Sequence, residues 1–195
     1  QAKLRRTTAT DLWLGDNAAR TTAVTGSKGK STTAALVRAI SVAHGVGCEL
    51  GGNIGIPLLG LPEAERYAAE LSSYQCSSVT TSPDVVVLTA LFPEHLDWHG
   101  SEEQYYADKL NLIAHGPRRV LANGEDPRLV AALERFHPDA EIEWVGSTGS
   151  HWTVSGRAGA REILRDGARF VDASTLPLVG RHNLRNAALA LAAVE

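Results

Sequence analysis

Methionine is absent from the 195 residues, and the chain opens on Gln1. The expectation is therefore one piece of a larger protein. Cysteine is scarce: Cys48 and Cys76 are the only two, with no metal-ligand spacing, which argues against a disulfide framework or a thiolate zinc site and for reduced thiols. No apolar run approaches the roughly 20 residues of a membrane span, and no signal segment opens the chain. A cytoplasmic protein without a membrane partner is expected. The formal net charge is −3 with no Lys/Arg run, which argues against a nucleic-acid partner while leaving a nucleotide possible, since a few local cations suffice for that.

What is present begins with composition. A hydrophobic content of 44% over 195 residues can bury a real core, and residues 1–195 are expected to form a single domain.

The stretch "AVTGSKGKSTTAALV", Ala23 to Val37, runs from a β-type segment (Thr21 to Thr25) through two glycines around a lysine into an alanine-rich helix former. That is the strand, loop, helix order of a P-loop. Helix N-terminal N–H groups have no intrahelical partners and carry the positive end of the macrodipole, so they can face phosphate oxygens. Lys30 would add a charge on the outer phosphates, and the Ser31 or Thr32 hydroxyl could ligate magnesium. The general pattern G-x-x-x-x-G-K-[ST] nevertheless fails, because Val24 stands five positions before Gly29.

Strands and helices alternate to about residue 145. A helix is expected from Ser31 to about His44, then a strand from Val46 to Leu50 and a glycine-rich turn from Gly51 to Pro57. Tyr67 to Leu71 reads as a buried strand carrying Glu70 near its end, and "DVVVLT", Asp84 to Thr89, as a strand covered on both faces. Ser101 with Gln104 has the pattern of a capping box for a helix that Gly116 stops. "RRVLAN" is another strand, and a helix starts near Asp126. From Glu141 the pieces "EIEWVG", "HWTVSG", "REILRDG" and "ARFVDA" read as an antiparallel patch of hairpins, before a helix beginning at or beside Asn183. The expected class is α/β: a doubly wound, mostly parallel sheet with a P-loop and a small antiparallel patch in the C-terminal third.

In such a sheet ligands bind at the carboxyl ends of the strands. Lys30, Asn53, Glu70, Ser72 and His95 all follow predicted strand ends. Each also has an ordinary reading: Asn53 between glycines as a turn residue, His95 as part of a solvated loop, and Lys109 as a surface lysine on a helix that turns Leu110 and Ile113 inward. Glu70 resists one, since a buried carboxylate is costly unless a cation or donor meets it. Ser72 and Ser73 have no paired base motif, so no covalent nucleophile is expected.

"TGSKGKSTT", "GGNIGIPLL", "ELSSYQ", "FPEHLDWHGSEEQYYADKL" and "GRHNLRNAALALAA" occur in that order, and together they resemble the Mur ligases, ATP-dependent amide-bond ligases of peptidoglycan precursor synthesis. The resemblance runs from about Thr21 to Val194. The wording is most similar to the members that add glutamate to UDP-N-acetylmuramoyl-L-alanine, and "GSKGKSTT" with "LFPEHLDWHG" to a branch that uses L- rather than D-glutamate.

The resemblance implies ATP and Mg²⁺ as cofactors. Gly26, Ser27, Lys28, Gly29, Lys30, Ser31 and Thr32 would form the phosphate loop, with the Ser31 hydroxyl near magnesium. Glu70 would ligate the magnesium between the phosphates, and His95 would help hold a second ion. Lys109 would carry a carbamate that turns a cation into an oxygen ligand. Asn53, Asn183 and Asn186 would line the adenine and nucleotide side. It also implies that the chain is the central ATPase domain, with a domain for the UDP-sugar and one for the amino acid lying elsewhere in a monomeric enzyme. Folylpolyglutamate synthase, another Mur step or a non-catalytic nucleotide-binding module are the competing readings.

Overall fold

The computed structural model describes residues 7–155, 161–175 and 179–195. Nine strands form one sheet in the order β2-β3-β1-β4-β5-β6-β7-β8-β9. The first five are β1 (Thr21–Thr25), β2 (Cys48–Gly52), β3 (Arg66–Glu70), β4 (Val85–Leu88) and β5 (Arg119–Asn123). All five run parallel, which the β-branched, apolar β4 anticipates: its four residues are buried on both faces. The chain moves from β1 outward to β2, returns to β3 between them, then crosses to β4 on the other side of β1. That reversal opens a crevice at the carboxyl ends of β1, β3 and β4.

Alternation along each strand sends side chains into two separate cores. Ala23, Val86, Leu88, Val120 and Ala122 pack with α1 (Ala9–Asn17), α5 (Glu102–Leu110) and α6 (Pro127–Phe136). Val24, Val85, Val87 and Leu121 face α2 (Lys30–Ala43) and α7 (Arg181–Val194) on the opposite side. The alanine-rich α7 lets the two helices approach closely, burying Ala187, Ala188, Ala190, Ala192 and Ala193.

Two short helices lie in what reads from sequence as loop: α3 (Ser73–Cys76) and α4 (Leu96–His99). The complete capping box belongs to α3, where the Ser72 hydroxyl accepts from Gln75 N–H and the Gln75 side chain accepts from Ser72 N–H. At α5 only half of the expected box forms. Ser101 accepts from Gln104 N–H, but the Gln104 side chain turns forward along the helix and donates Nε2 to the Asp108 carboxylate at 2.8 Å. Strand β2 starts two residues later than expected, because Val46 N–H turns back to Ser41 O and closes the end of α2.

The C-terminal third corrects the hairpin reading in one place. β6 (Glu143–Val145) pairs parallel to β5, since α6 carries the chain across the sheet before β6 enters it. β7 (Trp152–Ser155) joins it through the parallel pair Val145 and Trp152. The antiparallel patch is confined to β7, β8 (Glu162–Arg165) and β9 (Ala168–Asp172). Asp166 and Gly167, both at positive φ, make the tight β8–β9 turn.

Asp126 ties β4 to α6. It is 7% exposed; Oδ1 accepts from the N–H groups of Arg128 and Leu129, and Oδ2 accepts from Leu91 N–H at 2.8 Å. Removing it strands a cap and a buried donor together. Asp126→Ala is expected to lower the unfolding free energy by about 2 kcal/mol in urea titration, with Asn recovering part of the loss; a change near zero would contradict this role.

Candidate active site

The phosphate loop follows β1 directly. Gly29, at φ 92°, is the N-cap of α2 and supplies no side-chain cap, so the first-turn N–H groups stay open. Gly26 is at φ 142°, and a Cβ there would lie 2.1 Å from Thr89 Oγ1; one on Gly29 would lie 2.6 Å from Asn186 Oδ1. The loop therefore needs glycine at both points. Thr89 donates its hydroxyl to Lys28 O at 2.7 Å. Lys30 curls back, its Nζ donating to Ser27 O at 3.0 Å, and Lys28 pairs with Glu94 at 2.7 Å. Ser31 is exposed on the first turn and Thr32 partly so.

Ser27 departs from the phosphate-binding expectation. Its N–H donates to Ala90 O at 2.6 Å, its hydroxyl donates to Phe92 O at 2.7 Å, and the same oxygen lies 2.8 Å from both Phe92 N and the Tyr105 hydroxyl. With donors and lone pairs engaged, Ser27 anchors the loop to the segment after β4.

A cavity of about 280 Å³ opens beside the loop, lined by Lys30, Asn53, Ser72, Ser73, Tyr74, Glu94, His95, Tyr105 and Lys109. Glu70 ends β3 next to it at 1% exposure. One carboxylate oxygen accepts from Asn53 Nδ2 at 2.9 Å, and the other, Oε2, is buried with no hydrogen-bond partner. Among the described residues no group of three or more His, Cys, Asp and Glu could hold a metal. Glu70 Oε2 still fits a hard cation whose remaining ligands are phosphate oxygens and water, the habit of Mg²⁺.

Lys109 is 2% exposed, which overturns its ordinary reading as a solvated lysine. It lies one helical turn after the buried Tyr105, on the inward face of α5, with Nζ 5.0 Å from the Tyr105 ring centroid. Burial pulls its ammonium down to about 8, with Lys30 adding a smaller push in the same direction. His95 lines the same cavity, exposed and in the left-handed region at φ 53°.

A larger cavity of about 690 Å³ lies on the other side of the loop, and among its lining are Asn123, Asp126, Arg128, His182, Asn183 and Asn186. Asn186 donates to Asn183 Oδ1 at 3.2 Å, and Asn183 donates to Val179 O at 2.8 Å. The grouping of three asparagines on one nucleotide side does not hold, because Asn53 is bound to Glu70 in the smaller cavity. Asn123, Asp126 and Arg128 are not among the site residues expected from sequence; their position at and just beyond the carboxyl end of β5 is the signal that marks them.

The unfolded lysine titrates near 10.5 and the folded one near 8, so the unfolded chain binds the extra proton between those values. Stability should rise with pH across that window and carry the full penalty below it. Lys109→Met, in CO₂-free buffer, is expected to gain on the order of 1–3 kcal/mol at pH 7, with the gain shrinking as pH rises through the window. A gain independent of pH would contradict a charge penalty.

The Mur ligase middle domain model matches residues 24–194. The chain is 49% identical over 189 residues to the UDP-N-acetylmuramoyl-L-alanine--L-glutamate ligase of Salinispora tropica, a match that takes in 97% of this chain and 41% of the relative. A relative of that name from Micromonospora matches over 39% of its length, so the chain spans about two fifths of these proteins. The MurF ligase of Thermotoga maritima in complex with ADP superposes with a TM-score of 0.68 at 20% identity, over 94% of this chain and 46% of that one. Coverage from β1 to the end of α7, with a phosphate loop and strand order that carry the same fold, makes this chain a member of the Mur ligase middle domain family.

Proposed function

We propose that this chain is the ATP-handling domain of a cytoplasmic ligase that joins L-glutamate to UDP-N-acetylmuramoyl-L-alanine. The observation that carries the proposal is the pairing of an open phosphate loop with a buried Glu70 whose second oxygen has no partner. The names of the relatives support the substrates and the L configuration. Folylpolyglutamate synthase is the competing ligase on this core; the names of the relatives and the order of the motifs favour the glutamate ligase.

An amine cannot displace oxide from a carboxylate, so the carboxylate must first become an acyl phosphate by taking the γ-phosphoryl group of ATP. Two anions meet in that step, and positioning with charge neutralisation supplies the catalysis. The open N–H groups of α2 would hold the β- and γ-phosphates, and Lys30, released from Ser27 O, would reach the transferring group. Asn53, which lines the cavity, holds Glu70 Oε1 and leaves Oε2 without a partner. Bound Mg²⁺, held by Glu70 and Ser31 with His95 and Lys109 at a second position, would neutralise and align the phosphate oxygens. Lys109 suits its part because burial favours its neutral amine, the form that takes up CO₂ as a carbamate.

Calorimetry with a non-hydrolysable ATP analogue tests the chain itself. Wild type should bind with Mg²⁺; Lys30→Ala should lose at least about tenfold, or 1.4 kcal/mol, and Glu70→Gln should lose the Mg²⁺ dependence while keeping its melting temperature. Binding that is equally Mg²⁺-dependent in Glu70→Gln would refute the site. In the full-length enzyme, UDP-sugar-dependent phosphate release should require L-glutamate over D-glutamate.

A further inference from the structure

Behind the wall of the Lys109 cavity runs a hydrogen-bonded chain that the reaction above does not use. Ser73 lines the cavity and is 2% exposed. Its Oγ lies 2.9 Å from His99 Nε2, and His99 Nδ1 lies 2.5 Å from Asp108 Oδ2. The other Asp108 oxygen accepts from Gln104 Nε2 at 2.8 Å. With Oδ1 already accepting, an ionised Asp108 would accept at Oδ2 as well and place the hydrogen shared with His99 on Nδ1. A neutral ring in that tautomer has only a lone pair at Nε2, so Ser73 would donate its own hydrogen to it. The Ser73 oxygen is left with lone pairs alone to offer the cavity.

The ring is held in place. Tyr74 stacks on it at 5.6 Å, and Trp98 and Tyr105 meet it edge-on at 4.5 and 5.1 Å between centroids. The His99 side chain is fully buried. These contacts fasten α3, α4 and α5 together around one imidazole, with Asp108 immediately before Lys109 in the chain. The sequence shows no base paired with Ser73, because the partner lies 26 residues away.

We propose that His99 is a positioning residue that, held by Asp108, makes Ser73 an obligate hydrogen-bond acceptor for water in the shell of the divalent cation at this cavity. The inference rests on the proposed function through that cation. Mg²⁺ keeps several of its waters, and each water hydrogen needs an acceptor. Glu70 Oε2 serves the ion directly, and Ser73 serves its water. Partners of this outer kind change metal affinity by 10–100-fold when removed.

The tautomer is read first, by ¹⁵N-detected histidine NMR on the metal-free chain: His99 should be the neutral Nδ1–H form, and an Nε2–H form or an imidazolium, either of which donates to Ser73, would overturn the proposal. Mn²⁺ is then titrated with saturating ADP into wild type, Ser73→Ala, Asp108→Asn and the double variant. Each single change should weaken Mn²⁺ binding by about tenfold or more, and the double no further than Ser73→Ala alone, because Asp108 acts through Ser73. If Asp108→Asn does not fold, His99→Gln substitutes for it; its amide oxygen can still accept from Ser73, so affinity should be largely kept. Unchanged affinity in Ser73→Ala, additive losses, or a covalent phosphoryl or acyl adduct on Ser73 would overturn the inference. A wild type that binds no Mn²⁺ with ADP would overturn the proposed function as well, whereas wild-type binding that Ser73→Ala leaves intact overturns this inference alone.

Discussion

An uncapped helix N-terminus is an unsatisfied positive end, and the rest of this molecule is arranged to keep the one at Gly29 open. A serine, threonine or aspartate at that cap would quench it from within. Glycine instead leaves the donors free and lets Asn186 approach the backbone, while Gly26 lets Thr89 and Ala90 approach from the other side. Ser27, whose hydroxyl could have filled the gap, is turned away and engaged with Phe92 and Tyr105. The loop is thus held by its neighbours, at the switch point where the strand order reverses.

The opposite imbalance lies beside it. Glu70 is a carboxylate at a strand end with one oxygen unpartnered, and Lys109 is a lysine whose surroundings disfavour its charge. Both cost folding free energy, and neither is needed by the two cores, which the apolar faces of the sheet complete without them. A site that carries unpaired groups in an otherwise well-satisfied structure is where a ligand supplies the missing partners. The strained backbone of His95, on the rim of the same cavity, belongs to the same pattern.

Much of this was legible in sequence wherever local chemistry decides. β1, β4 and β5 follow from β-branched and apolar runs, the start of α2 from the glycine-lysine loop, and Glu70 stands out because an acid ends a buried strand. What was not legible depends on distance along the chain. The direction of β6 is set by α6 carrying the chain across the sheet, so a short β-type segment alone could not distinguish parallel from antiparallel pairing. The imidazole beside Ser73 comes from another helix. Lys109 was readable in part: its i+4 relation to Tyr105 marks one helix face, but only the packed structure shows that this face is the buried one. Asn53 shows the converse: its bond to Glu70 separates it from Asn183 and Asn186, and no local pattern around it carries that distance.

A crystal structure of this chain with Mg²⁺ and a non-hydrolysable ATP analogue would show directly what fills the two open ends of this site. Phosphate oxygens are expected on the first-turn N–H groups of α2 and an ion at about 2.1 Å from Glu70 Oε2, with the base in the cavity of Asn183 and Asn186. Phosphates bound elsewhere, or an ion that leaves Glu70 Oε2 without a partner, would contradict this assignment.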